Sequence, residues 1–238
     1  MLREIKKKKL ILDNRKPFDG EALRFFEEMD RVDWIYSSMK LDGSALRKNE
    51  VEKIIKGEFL VDVSVNDHAA ISNFLDTIKE MYDMSEMQIS LDEKYLLKIY
   101  ESLFESEEKG YRRSNPILRM ISYNPPHFKE IEEQLELLFQ WIDAKKDSLG
   151  TIEKAAYLHN KLIEIYPFEI GSEATARAAA QYLLIREGLP PILWNISESE
   201  YYDAIRLYLK KEDITPIAEV LARGVYNKLE VMLQLTSE

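Results

Sequence analysis

No cysteine occurs in the 238 residues of this chain. Its absence excludes a disulfide framework, a thiolate metal site and a cysteine nucleophile. Glycine and proline are scarce, eight of each, which argues against a loop-rich or all-β protein. No stretch approaches the roughly 18 apolar residues that a membrane-spanning helix needs, so no membrane partner is expected. Positive charge is also in deficit: the net charge is −10. Phosphate neutralisation needs a basic surface, so nucleic acid is not an expected partner. The one basic run, Lys6–Lys9, reads as part of a solvated N-terminal arm. No apolar stretch of secretory length follows it, and the expected location is cytoplasmic. Neither H-E-x-x-H, a phosphate loop nor G-x-S-x-G is present. No metal site is expected, and His68 has no acidic or histidine partner at ligand spacing.

What is present favours a helical core. Hydrophobic residues make up 45% and aromatic residues 11%, enough to bury one full core. Leu, Glu, Lys, Ala and Ile dominate, and all but Ile are good helix formers. Apolar spacings of three to four predict a long helix from Gly20 to Leu41 and a short one around Val51, Ile54 and Ile55. Further helices are predicted from Asp67 to Met84 and through Leu96, Leu97, Tyr100 and Phe104. For the latter, Ser90 with Glu93 three residues later reads as a capping box. Residues 110–126 break the rhythm with Ser-Asn-Pro and Tyr-Asn-Pro-Pro, predicting an extended flap with a short β-hairpin. Helices then follow over 128–144, 151–165, 174–186, 198–209 and 215–235. Gly188-Leu-Pro-Pro stops the 174–186 helix. No repeat or low-complexity linker appears. The fold class predicted is all-α, with an arm at 1–19, N-terminal helices at 20–60 and a helical core at 61–238, of which 20–238 forms one compact unit.

The chemistry-bearing stretch is Tyr166-Pro167-Phe168-Glu169-Ile170-Gly171-Ser172-Glu173-Ala174-Thr-Ala-Arg177, a loop between two predicted helices. It resembles the signature of the Fic (Fido) family of nucleotide-transferring proteins, H-P-F-x-[DE]-G-N-G-R-x-x-R. Gly110-Tyr-Arg with Pro125-Pro126 resembles that family's substrate-docking flap. Ser38-Met-Lys-Leu-Asp42-Gly43 resembles its inhibitory helix motif, and Asp213-Ile-Thr-Pro216 a common late segment. The likeness covers roughly residues 20–232 and implies a Fic-like helical domain.

Position by position, the resemblance implies a damaged site. Tyr166 stands where the family has its general-base histidine, and a phenol is a poor base at neutral pH. Ile170 replaces the acidic magnesium ligand and offers no donor. Glu169 occupies the variable position. In place of Gly-Asn-Gly stand Gly171, Ser172 and Glu173. Glu173 puts a carboxylate where phosphate charge would sit, and a Cβ where a glycine conformation is called for. Ala174 replaces a phosphate-binding arginine. Pro167, Phe168, Gly171 and Arg177 remain. Any residual nucleotide contact would fall to Gly171, Ser172 and Arg177. His159, two helical turns before Tyr166 and so roughly 10 Å away, is too distant to stand in as base. Ser172 has no neighbouring histidine to activate it.

Several expectations follow. Asp42 and Arg177 form an ion pair between two helices. The protein has lost AMP transfer and works as a pseudoenzyme, needing no cofactor and binding or regulating a protein partner. An extended flap offers an edge for a peptide, with Arg112, Arg113, Asn115, Ile117 and Arg119 favouring an acidic segment. A second role is restraint of an active Fic relative, drawn from the Ser38–Gly43 segment. The alternative is residual or altered protein adenylyltransferase or phosphotransferase activity, which would require ATP and magnesium.

Overall fold

The computed structural model describes residues 1–104, 110–144 and 150–236. Among these are ten α-helices: α1 (Leu2–Asp13), α2 (Gly20–Leu41), α3 (Lys48–Ile55), α4 (Val65–Glu86), α5 (Glu93–Leu103), α6 (Ile131–Ala144), α7 (Thr151–Ile165), α8 (Ser172–Arg186), α9 (Glu198–Lys211) and α10 (Thr215–Leu235). No strand forms among the described residues, and the all-α expectation holds. None of these helices is long and apolar enough to cross a membrane.

The centre of the fold is α8. Its residues from Ala174 to Ile185 are all buried, and small side chains at Ala178, Ala179 and Ala180 let neighbouring helices approach closely. Helix α7 lies along it, while α2, α4 and α5 also pack against it. A helix apolar on every side must be buried on every side. This arrangement fixes the loop between α7 and α8 at one end of the core.

Side-chain caps set several helix starts. Asp19 accepts from the Glu21 and Ala22 amides of α2, and Ser64 accepts from the Asp67 amide of α4. For α5 the cap is Asp92, which accepts from the Tyr95 amide. This corrects the assignment to Ser90: the Asp92 carboxylate lies closer to the amides that need a partner.

Two larger corrections follow. The expected N-terminal arm is mostly a docked helix. Ile5 and Leu12, seven residues apart on one face of α1, are buried, and Lys8 pairs with Glu230 of α10 at 3.0 Å. Arg15 ties the end of that segment to the Leu233 carbonyl at 2.6 Å. The flap, in turn, lacks a hairpin ladder. One antiparallel bridge joins Leu118 and Tyr123, closing a tight turn in which Ser122 has φ +51°. Arg206 of α9 holds that turn through the Met120 carbonyl at 2.6 Å.

Candidate functional site

The loop is shaped from its buried parts outward. Helix α7 ends on Tyr166, which turns into the left-handed region at φ +49°. Phe168 then enters the core fully buried. Its ring stacks on Tyr100 with centroids 3.7 Å apart and planes within 2°. Ser172 closes the loop behind it: its hydroxyl accepts from the Phe168 amide at 2.9 Å and donates to the Phe168 carbonyl at 3.1 Å. Buried and doubly engaged, that hydroxyl is a loop staple and not a nucleophile.

Gly171 is the one loop position that requires glycine. It has φ +73°, and a Cβ there would lie 2.3 Å from the Phe104 ring. Glu173, by contrast, sits in the first turn of α8 and is not among the positive-φ residues. The backbone strain expected at Glu173 therefore does not arise. Its charge does matter. The Tyr166 hydroxyl donates to both Glu173 carboxylate oxygens, at 3.2 and 3.1 Å. Burial first, then Glu173, push the Tyr166 phenol well above its ordinary range. Burial also raises the Glu173 carboxyl. The phenol thus stays protonated and acts as a donor, the reverse of what a general base must do.

Ile170 is half exposed, and Ala174 is buried with nothing polar to offer. Glu169 points toward the flap, where Ser114 donates to it at 2.8 Å. Among the described residues no group of three or more histidines and carboxylates gathers to hold a metal. Ile170, a hydrocarbon, stands at the position where the resemblance implies a metal ligand, and the Glu173 carboxylate lies in the first turn of α8, where a helix N-terminus favours negative charge.

Arg177 is fully buried. Its Nη2 lies 2.6 Å from both Asp42 oxygens, so the expected ion pair joins the end of α2 to α8. Ser38 accepts from Nε at 3.0 Å through its hydroxyl and from Nη2 at 3.2 Å through its carbonyl. The Tyr201 hydroxyl accepts from Nη1 at 3.4 Å. Gly43, at φ +84°, lets the chain leave α2 just past this pair. His159 lies behind it, wholly buried and 2.8 Å from the Tyr201 hydroxyl. Burial brings its pKa down to about 3, which keeps it a neutral packing group. His127 is exposed and its ring stacks on Phe128.

The flap arginines divide. Arg112 is buried and clasps the loop from beneath. Its guanidinium donates to the carbonyls of Tyr166 at 2.7 Å, Ser114 at 2.6 Å, Pro126 at 2.5 Å and Ile165 at 3.3 Å. Its own amide donates to the Pro167 carbonyl at 2.9 Å. It is not free to meet an acidic partner, which corrects that expectation. Asn115 is likewise occupied, accepting from the Phe128 amide at 2.9 Å. Arg113, Ile117 and Arg119 are exposed on the flap. Sequence reading missed both the Arg112 clasp and the roles of Tyr100 and Tyr201. Gly110-Tyr-Arg marked the place of the clasp but not its direction.

Residues 90–184 match the Fic/DOC family. A protein adenylyltransferase Fic from Drosophila persimilis is 25% identical over 225 residues, covering 92% of this chain and 44% of the relative. The chain thus spans less than half the length of the curated relatives it matches. Among solved structures, a Fic domain containing signaling protein from Bacteroides thetaiotaomicron superposes with a TM-score of 0.88 at 20% identity, covering 98% of this chain and 97% of the other. IbpAFic2, solved covalently tethered to Cdc42, superposes with a TM-score of 0.56 at 14% identity over 94% of this chain and 70% of its own. These structural likenesses concern the fold.

Proposed function

We propose that the chain is a Fic domain that has lost AMP transfer and acts as a pseudoenzyme that binds or regulates a protein partner. One observation carries the proposal. The Tyr166 hydroxyl, at the general-base position, donates to the Glu173 carboxylate at the start of α8. A proton donor stands where a proton acceptor is needed, and a negative charge stands where phosphate must approach. The loss of a base alone costs about 10²–10⁴-fold in rate. The changes at Ile170 and Ala174 remove further stabilisation of phosphoryl charge.

A protein-binding role is consistent with the relatives. One fold neighbour is a Fic domain tethered to a protein, Cdc42. Restraint of an active relative is a narrower form of the same reading, supported by the Asp42 end of α2 seated on Arg177. The competing reading is adenylyl or phosphoryl transfer by a rearranged site, favoured by the names of the curated relatives.

Incubation with labelled ATP and magnesium separates the two. The expected result is no label on the chain or on added protein, and no rise in melting temperature with millimolar ATP. Label transfer that is lost on Tyr166→Phe or Arg177→Lys would reverse the conclusion.

A further inference from the structure

Beside the loop, a cleft of about 760 Å³ opens between the end of α2, the first turns of α4 and the end of α5. Met39, Phe74, Phe104 and Ile170 give it apolar walls. Ile170 is 55% exposed there, at the position where the resemblance implies a metal ligand. Two carboxylates, Asp42 and Asp67, line the same cleft, and no lysine or arginine does so among the described residues. Arg177 is buried behind Asp42 and already bound to it. The positive end of α4 is met by Asp67 in its own first turn. Two carboxamides complete the lining, Asn66 and Asn73. The Asn73 carboxamide makes one long bond, 3.4 Å to the Leu103 carbonyl. Val65, 71% exposed, adjoins the cleft in sequence at the start of α4.

We propose that this cleft is a docking groove for an extended peptide segment of a partner, one that places a lysine or arginine beside apolar residues. The inference rests on the protein-binding reading above and names the chemistry of the partner. Charge complementarity selects the occupant: Asp42 is matched by Arg177, Asp67 faces the groove with no cationic side chain in the described lining, and the walls are apolar. A carboxamide can donate to and accept from a peptide backbone at once, so Asn66 and Asn73 suit an extended chain. Apolar contact with Ile170 and Phe74 supplies affinity, and Asp67 supplies selectivity. A nucleotide triphosphate meets the wrong charge.

Fluorescence anisotropy with two labelled synthetic peptides tests the groove: one of alternating lysine and leucine, the other of alternating glutamate and leucine. Ala69→Trp fills the cleft from an exposed lining position without changing charge, and Asp67→Asn removes one carboxylate without changing shape. The lysine peptide is expected to bind the wild-type chain and the glutamate peptide to bind far less. Each variant should weaken the lysine peptide about tenfold or more, with melting temperatures confirming that both fold. Undiminished binding to Ala69→Trp would overturn the proposal, because attraction would then be spread over the acidic surface. Equal binding of the two peptides, or none of the lysine peptide, would overturn it as well. Labelled ATP added to the same samples keeps the two readings apart. Nucleotide transfer without groove binding defeats both readings, and transfer with groove binding defeats only the loss of catalysis.

Discussion

Nη2 of Arg177 straddles both oxygens of Asp42 at 2.6 Å, across 135 residues of sequence. The two partners are unequal. Arg177 is fully enclosed, whereas the Asp42 side chain is 40% exposed. Removing the carboxylate therefore strands a buried cation, while removing the guanidinium leaves an anion that water can reach.

Asp42→Ala is accordingly expected to cost about 2 kcal/mol of folding stability, the exposure of Asp42 holding the figure below that of a fully buried pair. Adding Arg177→Met should cost less in the Asp42→Ala background than in the wild type. Urea denaturation of the four proteins checks this, and strictly additive losses would remove the coupling.

Arg112 yields a second expectation. Arg112→Ala leaves four backbone carbonyls without their donor, at a cost of about 3 kcal/mol or more. Arg112→Lys should restore only part of this, because an ammonium cannot present a planar fork to several segments at once. Hydrogen exchange should rise selectively at the flap and at residues 165–168. Uniform protection across the chain would contradict the clasp.

A third expectation concerns pH. Asp30 is buried beside Lys228, Asp33 and Tyr82. Burial outweighs the attraction of Lys228 and pushes its pKa up to about 6. The folded state then binds a proton more tightly than the unfolded chain does. The stability contributed by this group is therefore greatest at low pH and falls as pH rises from roughly 4 to 6. In Asp30→Asn that decline should vanish from the stability–pH curve. An unchanged slope, read from chemical denaturation across the window, would count against the raised pKa.

Much of the helical frame could be read from sequence because apolar side chains recur with the helical period. Helices α7 and α10 start and stop where their spacing says they do, and the end of α8 is marked by Gly188 and two prolines. Helix α1 escaped notice because Lys6–Lys9 mask the apolar face formed by Ile5 and Leu12. Only the contact with α10 makes that face meaningful. The flap was correctly placed but overfurnished: Pro116, Pro125 and Pro126 lack the amide hydrogens that a ladder needs. At the site, the resemblance of Ser38–Gly43 to the inhibitory motif anticipated the Asp42–Arg177 pair. The inward turn of Arg112 was not readable, since an arginine in a loop ordinarily faces water and its partners here are backbone carbonyls. Nor did the sequence disclose that Glu173 would settle into ordinary helical geometry.

Helix α8 has no face turned to water along most of its length, while the loop before it reaches solvent at Glu169 and Ile170. Replacements are therefore tolerated very unequally along one short stretch of chain. The shaft of the helix accepts little beyond small or matching side chains, whereas the tip can exchange a charged group for a hydrocarbon with small effect on the core. Substitutions at the tip can thus alter its chemistry and leave the frame intact. In this architecture chemistry is cheaper to lose than shape.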